Sequence, residues 1–376
     1  MYIRPYNNRR PRRWPWLLLL LVLIVVGYWR LHGRDLDSVR YHLLGKQRPT
    51  PTPTPISSKD RLALGDELFA RGKVSDAMAE YQRVIDMDPS NSTAHARLGR
   101  LLTLRGHLVE GLRMAQRAVE LDSENAENQA ILGMVLDWNG DYDAAAEACL
   151  KSIDLDPNYA TAYAYLAEAY SDKGRLDRAL QMADKALSLD PKNACARRNR
   201  GYVLERRGDY QRAAAEYIEA ISLQPNWVYL YLSLGRAYRA SGDYDGAIAE
   251  FEKATRVDPF DATAYDSLGL VYYYQHAYDE AIAQFKKAIE VDPGYGTAFG
   301  HLGWCYYVLR RYEDAIPQFE KAISLGATSV EFYYELGLSY VYIQDCVQAR
   351  PWLQKALEID PNAQPALQGL RDCEKK

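Results

Sequence analysis

Apolar positions along most of this chain recur at i, i+3, i+4 and i+7, as in Tyr231, Leu234, Gly235 and Tyr238, followed by Ala247, Phe251 and Ala254 at helical spacing. That period predicts pairs of amphipathic helices, each burying one face. Between the two lies Ser241-Gly242-Asp243-Tyr244-Asp245, where Gly242 offers the left-handed conformation that ends a helix and an aspartate caps the next one. Pairs close at Asp-Pro steps beginning at Asp88, Asp156, Asp190, Asp258, Asp292 and Asp360, because proline cannot continue the preceding helix. Gln224-Pro225 keeps the proline, whereas Asp122-Ser123 and Gly326-Ala327 lose it. The unit repeats at a strict 34-residue period, nine times from Ser58 to Ala363, without insertion or deletion.

Leucine-glycine recurs at Leu64-Gly65, Leu98-Gly99, Leu132-Gly133, Leu234-Gly235, Leu268-Gly269, Leu302-Gly303 and Leu336-Gly337. With an aromatic three residues on at Tyr238, Tyr272, Tyr306 and Tyr340, two alanines around a second aromatic, and the closing proline, this pattern resembles the tetratricopeptide repeat family. The resemblance implies an all-α, right-handed α-solenoid of nine helix-turn-helix repeats over residues 58–363, ending in a cap helix over 364–376. Three departures stand out: Ala167 for glycine in the fourth copy, Arg200 for leucine in the fifth, and Gly111 for alanine in the second. These predict loosened packing within the same fold. The small-residue columns follow from distance, since two closely crossing helices leave room for little more than a methyl group. One 34-residue pair leaves too much apolar face uncovered, so stability comes from stacking on neighbours.

The first 57 residues follow other rules. A basic segment, 1–13, precedes an apolar run around Leu17 to Val26 flanked by Trp14, Trp16, Tyr28 and Trp29. This predicts a single-pass transmembrane anchor over 14–31, with a cleaved signal peptide as the competing reading. Residues 32–57 read as a juxtamembrane segment and a Pro/Thr-rich linker, Pro49 to Pro55, of extended polyproline II. Such a stalk suits an exposed setting, so the expected localisation is a membrane-tethered protein with an extracytoplasmic repeat domain.

Charge is segregated: residues 1–56 hold 10 Lys/Arg against 2 Asp/Glu, leaving 36 against 48 in the rest. An acidic repeat domain repels phosphate backbones, so no nucleic acid is expected as a partner. The five cysteines, Cys149, Cys195, Cys305, Cys346 and Cys373, show no Cys-x-x-Cys, which argues against a zinc knuckle and a disulfide framework. Cys149 stands in the aromatic core column and reads as a small buried hydrophobe. None of the six histidines falls in a His-Glu-x-x-His pair, and no phosphate loop, nucleophile elbow or dinucleotide fingerprint occurs. No catalytic site, cofactor or metal is expected.

In the resembled family the concave surface is lined by the first helix of each pair, and function is argued from that lining. Here it predicts a basic, hydrogen-bonding stretch of Arg97, Arg100, Arg198, Asn199, Tyr202, Tyr229, Arg236 and Arg239. An aromatic stretch follows, with Tyr273, Tyr274, Trp304, Tyr307, Tyr334 and Tyr342, alongside Asp266 and His301. Together they suggest a cradle for an extended or helical acidic peptide, although such tyrosines also serve as filler between repeats. The lysine and asparagine clamp by which some members grip a C-terminal carboxylate is echoed only by Arg198 with Asn199. The reading is a non-catalytic, membrane-tethered scaffold binding a partner protein or extended peptide. The alternatives are a cell-surface glycan receptor, using the rings as sugar platforms, and a targeting subunit of an envelope enzyme.

Overall fold

A computed structural model of the chain describes residues 20, 22–24, 26 and 56–374. It divides into two units, residues 1–56 and 57–376. In the first unit Leu20, Val22, Leu23, Ile24 and Val26 are helical. The rest of the predicted anchor, the basic segment and the linker lie outside the described residues. Among the described residues no helix is long and apolar enough to cross a membrane. The described helices of the second unit run to at most 14 residues, about 21 Å, and each turns one face to its neighbours. The expected single-pass membrane localisation is corrected accordingly.

Residues 58–374 form nineteen α-helices, and among the described residues there is no strand. They run as α1 (Ser58–Ala70) and α2 (Val74–Met87), α3 (Ser92–Leu104) and α4 (Leu108–Leu121), α5 (Ala126–Trp138) and α6 (Tyr142–Leu155), α7 (Ala160–Asp172) and α8 (Leu176–Leu189), and α9 (Ala194–Arg206) and α10 (Tyr210–Leu223). Then follow α11 (Val228–Ala240) and α12 (Tyr244–Val257), α13 (Ala262–Tyr274) and α14 (Tyr278–Val291), α15 (Gly296–Val308) and α16 (Tyr312–Ser324), α17 (Val330–Tyr342) and α18 (Cys346–Ile359), and last α19 (Gln364–Glu374). Each pair is one repeat, numbered 1 to 9. From α3 onward odd-numbered helices touch the next odd-numbered helix, whereas even-numbered ones pack on their own partner and the odd helix that follows. The layer whose members touch is the inside of the curve.

Local chemistry sets the boundaries. Asn91, Asn125 and Asn193 cap odd helices through side-chain oxygens, and Asp141, Asp209, Asp243 and Asp345 cap even ones. The aspartate of the Asp-Pro step has a second role. Asp88, Asp156, Asp190, Asp258, Asp292 and Asp360 each accept from the backbone N–H two residues on, at 2.8–3.1 Å. Asp122, which lacks the proline, does the same at 3.2 Å. Within each repeat the odd-to-even turn needs one residue with positive φ. Glycine supplies it at 72, 106, 140, 174, 208 and 242, but His276, Arg310 and Gln344 adopt it in repeats 7 to 9.

Helix crossings are tuned by size. A methyl group at Gly235 would lie 2.6 Å from the Phe251 ring, and Gly269 with Phe285 and Gly303 with Phe319 repeat that geometry. The departures are compensated rather than loosened. Ala167 faces Ala183 where repeats 1 and 5 to 8 place a ring, and both are fully buried. Opposite Gly111 the Thr103 side chain fills the space an alanine methyl would take. Arg200 leaves the core column to meet Asp184 at 2.8 Å and Glu216 at 2.5 Å. Buried rings such as Phe285 and Phe319 then contribute about 2–3 kcal/mol each from lost water contact.

The cysteines bring a further correction, because Cys346 and Cys373 form a disulfide with Cα atoms 5.5 Å apart. Helices α18 and α19 run antiparallel, so the start of one meets the end of the other. Spacing along the chain does not reveal that meeting. Cys149, Cys195 and Cys305 remain thiols, with Cys149 and Cys305 buried.

Candidate functional site

The lining behaves differently in its two halves. The curve is tight enough for successive turns of the solenoid to touch, repeats 1 and 2 meeting the stretch from Trp227 to Asp292. Trp227, in the loop before α11, stacks on Phe69 of α1 at 5.0 Å and donates from Nε1 to the Phe69 carbonyl. Arg105, in the turn after α3, forms a buried ion pair with Asp258, lies 3.3 Å from Asp261, and donates to the Phe260 carbonyl at 2.9 Å. His107 Nε2 pairs with Asp292 at 2.8 Å. The hydrogen bond between them holds the His107 imidazole above its ordinary pKa and the Asp292 carboxyl below its own.

These contacts close the first half around its own lining. Arg100, Tyr165, Cys195, Arg198 and Tyr229 converge on a cavity of only about 30 Å³, room for roughly one water. Arg100 lies over the Phe69 ring at 4.8 Å, and Tyr229 Oη is 3.4 Å from Cys195 Sγ. Most of the arginines are already paired along the solenoid. Arg97 bridges Asp66 (2.6 Å) and Glu127 (2.9 Å), Arg198 pairs with Glu168, and Arg236 lies 3.5 Å from Glu205. Tyr202 donates to Asp172 at 2.5 Å, and Asn199 donates to the Ala164 carbonyl at 2.8 Å. Each bond spans about one repeat, so the predicted basic stretch is a ladder of neutralised pairs. Arg100 and Arg239 lie over the Phe69 and Tyr274 rings instead. Next to the ladder, burial and then the charges of Glu168 and Asp172 push the Asp137 carboxyl well above the usual carboxylate range.

The aromatic half, repeats 7 to 9, keeps rings in the open. Tyr274 is 46% exposed and Tyr342 53%, with Arg239 over the Tyr274 ring at 5.2 Å and Tyr342 stacked on Tyr312 at 4.6 Å. Tyr307 sits 6.1 Å from Tyr342 and 5.7 Å from Tyr312. Behind these rings lie half-buried ones: Tyr273 is 6.0 Å from Trp304, which packs against His301 (4.7 Å) and Phe332 (5.5 Å). Tyr334 packs into the core under α19. His301 is held by Asp266 at 2.7 Å. A cleft of about 740 Å³ opens beside Trp304 and Phe332, bounded by Val109 and the loop Gly326–Ser329.

Two residues absent from the predicted lining belong to this half. Tyr312 comes from the start of an even helix and reaches the groove across the turn; Glu335 stands on α17 among the rings. For Glu335 a sequence signal existed, since it lies one period after His301 and four after Asn199, a position that faces the preceding odd helix. Among the described residues no group of three or more His, Cys, Asp or Glu is arranged to hold a metal ion.

Antiparallel helix pairs stacked at one fixed period, with an inner layer of first helices, define a helical-repeat scaffold. The chain belongs to the tetratricopeptide repeat family: the tetratricopeptide repeat model matches residues 105–160, 165–226, 267–330 and 302–364, more than half of the chain. A related TPR repeat model matches 65–104 and 235–276. No curated protein sequence matches it. Among solved structures it is similar to the APC/C hetero-tetramer Cut9–Hcn1, at 16% identity and TM-score 0.52, covering 95% of this chain and 82% of that one. It is also similar to yeast Tom70, at 15% identity and TM-score 0.49, covering 84% and 88%. PilF of Pseudomonas aeruginosa follows at 18% and 0.46, covering 56% and 96%. At these identities the likeness is one of fold alone.

Proposed function

We propose that this chain is a non-catalytic scaffold that holds an extended segment of a partner protein in the concave groove of repeats 7 to 9. The observation behind this reading is the contrast between the two halves of the lining. Rings such as Tyr274 and Tyr342 stay exposed, whereas Arg97, Arg198 and Arg236 are paired with acids. Exposed amphipathic rings give contact area at small entropic cost, and a groove one helix wide suits an extended chain. Cut9, which is solved as a hetero-tetramer with Hcn1, offers a precedent for partner assembly on a similar fold. Arg97, Arg100, Arg198, Asn199, Tyr202, Tyr229 and Arg236 are then mainly internal supports. Arg239, Tyr273, Tyr274, Trp304, Tyr307 and Tyr342 are the contact surface, with Tyr334 beneath it.

The test is a peptide array probed with the wild-type chain and with Tyr274→Ala combined with Tyr342→Ala. Selected peptides should lose at least tenfold in affinity while the melting curve moves little, because both rings are about half exposed. Unchanged affinity would refute the groove assignment. A glycan array run in parallel tests the sugar-platform alternative; ring-dependent glycan binding without peptide binding would replace the proposal.

A further inference from the structure

Glu335 is unusual among its equivalents. Asn199, at the same position of repeat 5, donates to the Ala164 carbonyl, and His301, in repeat 8, bonds Asp266. Each satisfies itself on the preceding odd helix. Glu335 has no such bond: its Oε2 is buried without a hydrogen-bond partner among the described residues. Burial, and then the charge of Glu331, push its carboxyl up to about 8. On α17 Glu335 stands between Phe332, which packs on Trp304 at 5.5 Å, and Tyr342, which meets Tyr307 at 6.1 Å. Trp304, 6.0 Å from Tyr273, has a buried Nε1–H that is equally without a partner among the described residues. Two unused polar groups therefore lie on the facing stretches of α15 and α17, beside the Trp304–Phe332 ring contact.

An unpaired buried carboxylate is costly, which is why this carboxyl holds its proton more tightly than usual; an incoming cation relieves that cost most completely, by stabilising the ionised form. Aromatic faces attract the same charge. A neutral or acidic group would leave the carboxylate unmatched, and an isolated metal ion would find one carboxylate among rings where it needs several oxygens. The indole N–H asks for an acceptor at the same time. An amino-acid residue with a cationic side chain offers both complements, the cation for Glu335 and a backbone carbonyl for Trp304.

We propose that Glu335, Trp304, Tyr273 and Tyr307 form a receptor for one lysine or arginine side chain of the bound partner segment. This rests on the peptide-groove reading above, and it sets the register in which the segment lies.

The test uses the full chain and small probes rather than a peptide, so that it can fail independently of that reading. Nα-acetyl-arginine amide, Nα-acetyl-lysine amide and the neutral Nα-acetyl-norleucine amide are titrated while the Trp304 indole N–H resonance is followed, assigned by its loss in Trp304→Phe. We expect saturable shifts from the two cations, at least tenfold weaker response to norleucine amide, and at least tenfold loss in Glu335→Gln. Glu335→Ala provides a second variant should the first misfold. Equal response to norleucine amide, no response to any probe, or unchanged binding in a folded Glu335 variant would overturn the proposal. Tighter binding of putrescine than of either amide would assign the site to a free diamine and overturn it as well. Peptide binding that persists without any basic residue would leave the groove reading standing and remove only this one.

Discussion

Arg105 and Asp258 are 153 residues apart in sequence and form one buried ion pair, which joins the turn after α3 to the loop after α12. With His107–Asp292 and Trp227–Phe69 it ties one turn of the solenoid to the next. Replacing Arg105 by Met would leave Asp258 and Asp261 buried without their cation. We expect a loss of about 3 kcal/mol, since removing one partner of a buried pair costs more than the pair itself contributes. The radius of gyration from small-angle scattering should rise as the turn opens. An unchanged radius with an unchanged melt would show the closure to be energetically idle.

The His107–Asp292 contact predicts a pH window. Raised above its ordinary 6.5, His107 contributes stability that is complete below that value and is lost as pH rises through its folded pKa. Asp292, lowered below 3.8, contributes above that value and loses it as pH falls through its folded pKa. The stability difference between wild type and His107→Ala should be greatest near pH 5–6, at about 1 kcal/mol for a partly exposed pair, and should shrink at pH 8.5. A difference independent of pH would contradict the charged pair.

Arg310 and Gln344 hold positive φ where six other repeats use glycine. A side chain there strains the backbone, so Arg310→Gly and Gln344→Gly should each stabilise by about 0.5–1 kcal/mol, less some gain in unfolded-state entropy. Chemical denaturation checks this. A destabilised variant would mean that these side chains make contacts worth more than the strain.

Reduction of Cys346–Cys373 should loosen the C-terminal end first. The bond closes a separation of 27 residues and fixes α19 over α17 and α18. Its loss should cost about 2–4 kcal/mol, seen as faster amide exchange in α18 and α19 with repeats 1 to 6 unaffected. Uniform loss of protection would instead mean that the array unfolds as one unit.

Gly235→Ala should destabilise by about 1–2 kcal/mol, because the added methyl would press on the Phe251 ring at 2.6 Å and outweigh the gain in helix propensity. Phe251→Leu in the same chain should recover part of the loss, as the Ala167–Ala183 pairing in repeat 4 suggests. No recovery would mean that the clash falls on backbone rather than ring.

Much of the fold was legible because its information is local. A 34-residue period, glycine opposite a ring, and Asp-Pro at a helix end each follow from residues close in sequence, so an all-helical solenoid could be read without coordinates. The site was legible only in part. Inward-facing positions are set by helical register, which is why Tyr274, Trp304, Tyr307 and Tyr342 could be named. Whether an inward arginine is free depends on its neighbours one repeat away, and Arg97, Arg198 and Arg236 proved to be paired with Asp66, Glu127, Glu168 and Glu205. The apolar run near the N-terminus suggested a span by composition, but composition does not establish a helix of sufficient length among the described residues.

By itself, then, the sequence determined the repeat and its period, since helix propensity, capping and face periodicity act over a few residues, while the family resemblance implied which helices face inward. Only tertiary structure decided that the solenoid closes between Arg105 and Asp258, that Cys346 meets Cys373, and that Glu335 is left without the partner its equivalents have. Those outcomes depend on small rotations between repeats, summed over the array, which bring together residues that no local pattern relates.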